Sequence, residues 1–219
     1  MADGAPVPKQ FSNVMLSRPG KIICVGRNYL DHARELGNEV PAQPLIFMKP
    51  PSSVVGDGDA IVLPRASARV EHEGEIGVVV GRTLRRADAR EARDAIAGVV
   101  AMNDVTARDL QKTDGQWTRA KGFDTFCPVG SDVVPVRDFE ALCVITRVNG
   151  VERQRGRAAD MAFPIPVLLA YISGIMTLEP GDLVATGTPA GVGQLLHGDL
   201  VEVEIEGLSR VRNPVTNEM

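Results

Sequence analysis

Residues 70–80 read VEHEGEIGVVV, and the fold reading starts from them. Ile76 to Val80 are apolar at nearly every position, the composition of a strand buried on both faces. Ahead of them Glu71, Glu73 and Glu75 occupy alternate residues. In extended chain such carboxylates share a face about 6.6 Å apart and repel unless water or a cation intervenes. A solvated strand face explains alternation equally well, and the chain offers an example. In VEVEIEG, residues 201–207, Glu202, Glu204 and Glu206 alternate with Val201, Val203 and Ile205, the pattern of a half-exposed strand. The 70–80 stretch differs in two respects. Its acids stand opposite His72 and Gly74 rather than apolar residues, and they lead into buried strand, where an unpaired charge is strongly unfavourable. A divalent cation would compensate them.

Working outward, Gly, Pro and Asp repeatedly precede short β-branched runs: GDGDAIVLP (56–64), EPGDLVATG (179–187) and HGDLVEVEIEG (197–207). Each predicts a turn feeding a strand. KIICVG (21–26) predicts another, and ALCVITRVNGVERQ (141–154) predicts two strands joined at the Asn149–Gly150 turn. Helix is sparser. NYLDHARELG has Asn28 to cap and Gly37 to stop a short helix, DAREARDAIAG ends on Gly98, and PIPVLLAYISGIM begins at Pro164. The expectation is a mainly β chain with a few helices, an α+β fold.

Bulk properties exclude several functions. With 219 residues, 44% of them hydrophobic, the chain can bury a real core. A net charge of -4 without a Lys/Arg-rich tract argues against nucleic-acid binding. No apolar stretch approaches the roughly 20 residues of a spanning helix, and MADGAPVPKQ lacks the basic start and apolar stretch of a secretory leader. Three widely spaced cysteines, Cys24, Cys127 and Cys143, point to reduced thiols and a cytoplasmic protein. GTPAGVG (187–193) has the spacing of neither a dinucleotide loop nor a phosphate loop.

Two further constellations carry chemistry. In AMNDVTARDLQ (101–111) either Asp104 or Asp109 could supply a third carboxylate, and three oxygen ligands with room for water suit magnesium or manganese. In GRNYLDHAREL, His32 and Glu35 lie three apart and share a face if the segment is helical. The carboxylate would then orient the imidazole and raise its basicity, unless the two form an ordinary exposed pair.

GRNYLDHARE, FMKPPSSVVG, HEGEIGVVVG, NDVTARDLQ, AKGFDTFCPVG, VNGVERQ and TLEPGDLVATGTPAGVG occur in this order. Together they resemble the fumarylacetoacetate hydrolase family, most closely its short acylpyruvate hydrolase-like branch, from about Lys21 to Asn213. The resemblance implies a mixed β-sandwich roll over residues 21–219 after a lead over 1–20, without the large N-terminal domain of longer members, and a homodimer. It places metal ligands on Glu73, Glu75 and Asp104, and so chooses Asp104 over Asp109, leaving Glu71 as a flank. It places the water-activating pair on His32 and Glu35, a catalytic lysine on Lys121, and substrate contacts on Arg108, Gln111 and Thr188. Ala159 stands where relatives often carry a hydroxyl.

The implied substrate is a 2-oxo acid chelated by Mg2+ or Mn2+, with Arg108 and Lys121 adding positive charge; Arg27 and Lys49 are further candidates for that charge, with an ordinary surface role the favoured reading of both. The leading expectation is hydrolysis of an acylpyruvate. Water activated by His32 attacks the distant carbonyl, Lys121 stabilises the oxyanion, and pyruvate leaves as its enolate. Oxaloacetate decarboxylation or tautomerisation and isomerisation of a 2-hydroxydienoate pass through a similar enolate and are the alternatives. A metal-stabilised binding protein is the non-enzymatic one.

Overall fold

A computed structural model describes residues 14–15, 18–35 and 41–219, the side chains of 14, 15 and 32–34 excepted. Two mixed five-stranded sheets form its body. The first runs Leu45–Lys49, Ile22–Gly26, Leu183–Ala185, Gly74–Val80, Ile96–Asn103. Its middle strand lies parallel to Ile22–Gly26 and antiparallel to Gly74–Val80. The second runs Val151–Arg157, Cys143–Val148, Leu200–Ile205, Ser209–Asn217, Ile61–Leu63.

Alternation within the apolar run explains why it is continuous. Ile76, Val78 and Val80 enter a core shared with Val144, Val203 and Ile205 of the second sheet and with Leu168, Leu169 and Ile172 of the helix Ile165–Ile175. Val79 faces the other way, into a second cluster with Ile22, Met102, Cys127 and Val129. A strand covered on both faces has no side left for polar residues. The mainly β expectation, with few helices, is met.

Local signals hold where they are self-contained. Asn149 and Gly150 have φ of 54° and 77°, the pair of left-handed residues that a two-residue hairpin needs, and Val148 opposes Val151 across it. In Leu200–Ile205 the valines and isoleucine are buried, while Glu202 and Glu204 reach Arg147 at 3.0 and 2.8 Å. All three cysteines are buried free thiols. Among the described residues no helix is long and apolar enough to cross a membrane.

Two helix readings need correction. The second helix spans Ala89–Asp94 under a capping box between Asp88 and Glu91, and stops well before Gly98. Gly98 belongs to the strand Ile96–Asn103, where a Cβ would stand 2.6 Å from Val134 O, so close backbone approach, not a helix stop, calls for glycine there. The first helix spans Leu30–Glu35, and Gly37 lies outside the described residues. Asn28 ties the chain to distant segments: its amide nitrogen donates to Phe163 O and Thr186 O at 3.2 and 2.8 Å, and its oxygen accepts from Phe163 N at 2.9 Å.

Candidate active site

The acids of the 70–80 stretch sit where the chain changes sheets. Val70–His72 pairs with Thr106–Ala107 and Gly193–Gln194 in a small three-stranded sheet, and Gly74–Val80 pairs with Ile96–Asn103 in the large one. Glu73 stands at the change, and Asp104 at the matching change on the neighbouring strand. Asp104 N donates to Glu73 O at 2.8 Å, and Glu73 N to Asn103 Oδ1 at 2.9 Å. Carboxylate oxygens of Glu73, Glu75 and Asp104 lie within 4.8 Å of one another, on residues no more than 5% exposed. Gly74 between the two glutamates follows from packing, since a Cβ there would stand 1.9 Å from Thr146 Oγ1 of the second sheet.

Cations enclose this triad. Lys121, ending the short helix Thr118–Lys121, reaches Glu73 Oε2 at 2.8 Å and Asp104 Oδ2 at 2.7 Å. Lys49 closes the apolar strand Leu45–Lys49, donates to Lys121 O at 2.6 Å and Val105 O at 3.1 Å, and stands 2.6 Å from Asp104 Oδ1. Its surface role is therefore corrected: Lys49 is 1% exposed. Arg108, the first residue of the helix Arg108–Thr113, donates through Nε to Glu71 Oε2 at 2.7 Å and through its terminal nitrogens to Glu73 and Gln111. Glu71 is thus no flank. It holds Arg108 and also pairs with Arg69 at 2.6 Å. Asp109 is taken up elsewhere, accepting from Ser67 Oγ at 2.6 Å and Ala68 N at 2.8 Å.

Glu71, Glu73, Glu75 and Asp104 face Lys49, Lys121 and Arg108, with Arg69 on Glu71 as well, and among the described residues no cation is paired to Glu75. Burial, then repulsion from Asp104 and Glu73, pushes the Glu75 carboxyl well above the usual carboxylate range against the pull of Lys121 and the 2.7 Å bond from Gly187 N. Burial opposes the charge on Lys121, but Asp104 and Glu73 outweigh it and raise the ammonium above its ordinary value. Lys121 is therefore a charged donor. Asp104 Oδ1 meets Lys49 as an ion pair without hydrogen-bond geometry. An oxygen-only donor set within 4.8 Å and a buried oxygen lacking a hydrogen bond both fit a hard divalent cation.

Beside the triad lies a cavity of about 60 Å³ that Arg108, Gln111, Lys121 and Thr188 also border. Arg27, Phe47 and Trp117 line it too, and they also border a cleft of about 850 Å³. Phe47 and Trp117 meet edge to face at 5.2 Å. Arg27 is a site residue rather than an ordinary surface one, and its φ of 59° is left-handed backbone of the kind that clusters at functional sites. The Thr188 hydroxyl donates to Gly74 O at 2.8 Å. Glu35 lies further out: both its oxygens accept from Gly191 N, at 3.1 and 3.2 Å, which ties the helix Leu30–Glu35 to the 187–191 loop. The His32 side chain lies outside the described residues.

The pattern of the fumarylacetoacetate (FAA) hydrolase C-terminal domain matches residues 21–216. This chain belongs to the fumarylacetoacetate hydrolase family. Among its relatives, oxaloacetate tautomerase FAHD1, mitochondrial, of Arabidopsis thaliana is 45% identical over 205 residues, 90% of this chain and 92% of the relative. The mitochondrial oxaloacetate decarboxylase of Dictyostelium discoideum is 42% identical over 196 residues, 86% of this chain and 89% of the relative. The crystal structure of 2-hydroxyhepta-2,4-diene-1,7-dioate isomerase from Mycobacterium marinum has a TM-score of 0.85 at 44% identity, covering 94% of this chain and 77% of that one. In this family setting the buried triad could hold a metal ion.

Proposed function

We propose that this protein is a magnesium- or manganese-dependent enzyme acting on oxaloacetate through an enolate, by tautomerisation and decarboxylation. The observation that carries the proposal is the buried triad of Glu73, Glu75 and Asp104, with oxygens within 4.8 Å and Lys121 bonded across two of its members. The names of two relatives that match most of this chain favour oxaloacetate over the acylpyruvates expected from the sequence.

Glu73, Glu75 and Asp104 would hold the ion, which would polarise the 2-oxo carbonyl of the substrate. Lys121 stays charged in this setting and donates to oxygen as negative charge develops. Arg108, aimed by Glu71, and Gln111 would bind the carboxylate of the substrate at the small cavity, which Phe47 and Trp117 also line. In decarboxylation the bond between the methylene carbon and its carboxylate breaks, and its electron pair passes into the enolate, which is then protonated at carbon to give pyruvate. In tautomerisation a proton moves between the same carbon and the enol oxygen, and His32 backed by Glu35 would be the proton carrier.

A second reading, acylpyruvate hydrolysis, has one observation in its favour. Gly191 N holds Glu35, so the helix bearing the water-activating pair is tied to the loop whose Gly187 and Thr188 reach the triad strand. Assays of the Mn2+-loaded protein with oxaloacetate and acetylpyruvate separate the readings. Enol loss is followed by ultraviolet absorbance, with pyruvate and carbon dioxide measured alongside. Turnover of oxaloacetate above the rate with Mn2+ alone supports the proposal; cleavage confined to acetylpyruvate transfers support to hydrolysis; activity toward neither refutes both. Wild-type hydrolysis by His32→Ala would remove His32 from the water-activating role.

A further inference from the structure

In the strand Val151–Arg157 only Gln154 and Gly156 are buried, and Gln154 is 1% exposed. Its carboxamide spans three segments. Oε1 accepts from Gly74 N at 3.0 Å and stands 3.0 Å from His72 Nδ1, and Nε2 donates to Pro189 O at 2.8 Å and Thr188 Oγ1 at 2.7 Å. A backbone N–H can only donate and a backbone carbonyl only accept, so Gly74 and Pro189 decide which end of the amide is oxygen. Thr188 Oγ1, having accepted from Gln154, donates its own hydrogen bond to Gly74 O at 2.8 Å.

Gly74 is the residue between Glu73 and Glu75, and both its N–H and its carbonyl end on this relay. The same relay holds the 187–189 loop, whose Gly187 N donates to Glu75 Oε2 at 2.7 Å. Packing leaves the loop no slack. A Cβ on Gly156 would stand 2.5 Å from Pro189 Cβ, and one on Gly191 2.0 Å from Arg153 O.

We infer that Gln154 is a positioning residue for the cation-holding acids. Its amide sets the separation between the strand of Glu73 and Glu75 and the loop that holds Glu75. It also leaves Thr188 only a lone pair to offer a ligand in the cavity that residue borders. The inference rests on the cation site proposed above. Partners of this outer kind orient ligands, and their loss weakens metal binding about 10–100-fold.

The test is Mn2+ affinity by isothermal titration of the stripped, full-length protein, at a temperature where circular dichroism shows each variant fully folded. Gln154→Leu, similar in size, is expected to bind Mn2+ about 10–100-fold more weakly than wild type. Thr188→Val should also weaken binding and Thr188→Ser should not, because serine keeps the hydroxyl. The Gln154→Leu/Thr188→Val double variant should bind no more weakly than the worse single one, since both changes cut one relay. Folded Gln154→Leu with wild-type affinity, or losses that add in the double variant, would overturn the role. If Gln154→Leu does not fold, the Thr188 pair decides: a loss with valine but not serine supports the relay, and equal binding by both overturns it. A wild type that binds no Mn2+ overturns the cation site itself and the positioning role with it.

Discussion

Replacing Glu75 by glutamine exchanges a buried carboxyl, whose charged form burial, Asp104 and Glu73 disfavour, for a neutral amide of the same shape. Gly187 N, now 2.7 Å from Glu75 Oε2, can donate to the amide oxygen instead, and Lys121 and Lys49 keep Glu73 and Asp104 as partners. Burial and two like charges disfavour the Glu75 carboxylate, so metal-free Glu75→Gln should melt above metal-free wild type. Relief of a poorly compensated buried group is worth on the order of 1–3 kcal/mol, and each kcal/mol shifts the melting point of a chain this long by about 2–4 °C. With metal the order reverses. A cation at a hundred times its dissociation constant adds about 2.7 kcal/mol to the wild type, a rise of roughly 5–11 °C. A variant with affinity lowered about a hundredfold keeps only about 0.4 kcal/mol of that, close to 1 °C. Scanning calorimetry of stripped protein, with and without Mn2+, reads both effects. A full metal-dependent rise in Glu75→Gln would refute its role as a ligand, and a lower metal-free melting point would refute the reading that the buried Glu75 carboxyl is poorly compensated.

Other perturbations reach different parts of the structure. Glu71→Gln weakens the charged bond at 2.7 Å that aims Arg108, a loss of about 1.5 kcal/mol; steady-state kinetics should show KM for oxaloacetate rising about tenfold with kcat little changed. Gly74→Ala drives a methyl to 1.9 Å from Thr146 Oγ1 and should lower stability by about 3 kcal/mol; Thr146→Ala in the same chain should restore part of the loss in denaturant titrations. The Arg147 hydrogen bond holds the Glu204 carboxyl below its ordinary value. Its contribution is therefore present above the unfolded pKa of about 4.3 and is lost as pH falls through the folded value; Arg147→Met should flatten the acid limb of stability against pH. The homodimer implied by the family resemblance should give a dimer mass by light scattering at micromolar concentration, and a monomer mass would refute it.

Features that repeat within a few residues were legible in the chain itself. Alternating acids followed by an apolar run marked VEHEGEIGVVV as a strand entering a core, Asn149–Gly150 marked a hairpin because two left-handed residues are demanded there, and VEVEIEG showed its half-exposed face. Spacing raised Glu71, Glu73 and Glu75 alike, and the family resemblance singled out Glu73 and Glu75. Asp104 and Asp109 looked alike by spacing too, and only sheet pairing shows why one faces the triad: Asp104 lies opposite Glu73 at the change of sheets, whereas Asp109 accepts from Ser67 and Ala68.

What tertiary structure alone decided are interactions between residues far apart in the chain. Glu71 meets Arg108 across 37 positions and Gln154 meets Gly74 across 80; no periodicity connects such partners. Lys49 had a faint local signal, a lysine closing the apolar run LIFM, but its burial depends on Asp104, Val105 and Lys121 coming to it from elsewhere. Gly98 reads as a helix stop because glycine serves helix ends and close backbone contacts alike, and only the nearness of Val134 selects the second. The sequence by itself determined the strands, since period and turn chemistry are local. The charge balance around the acids of the site was decided by the fold, since it depends on which distant side chains arrive.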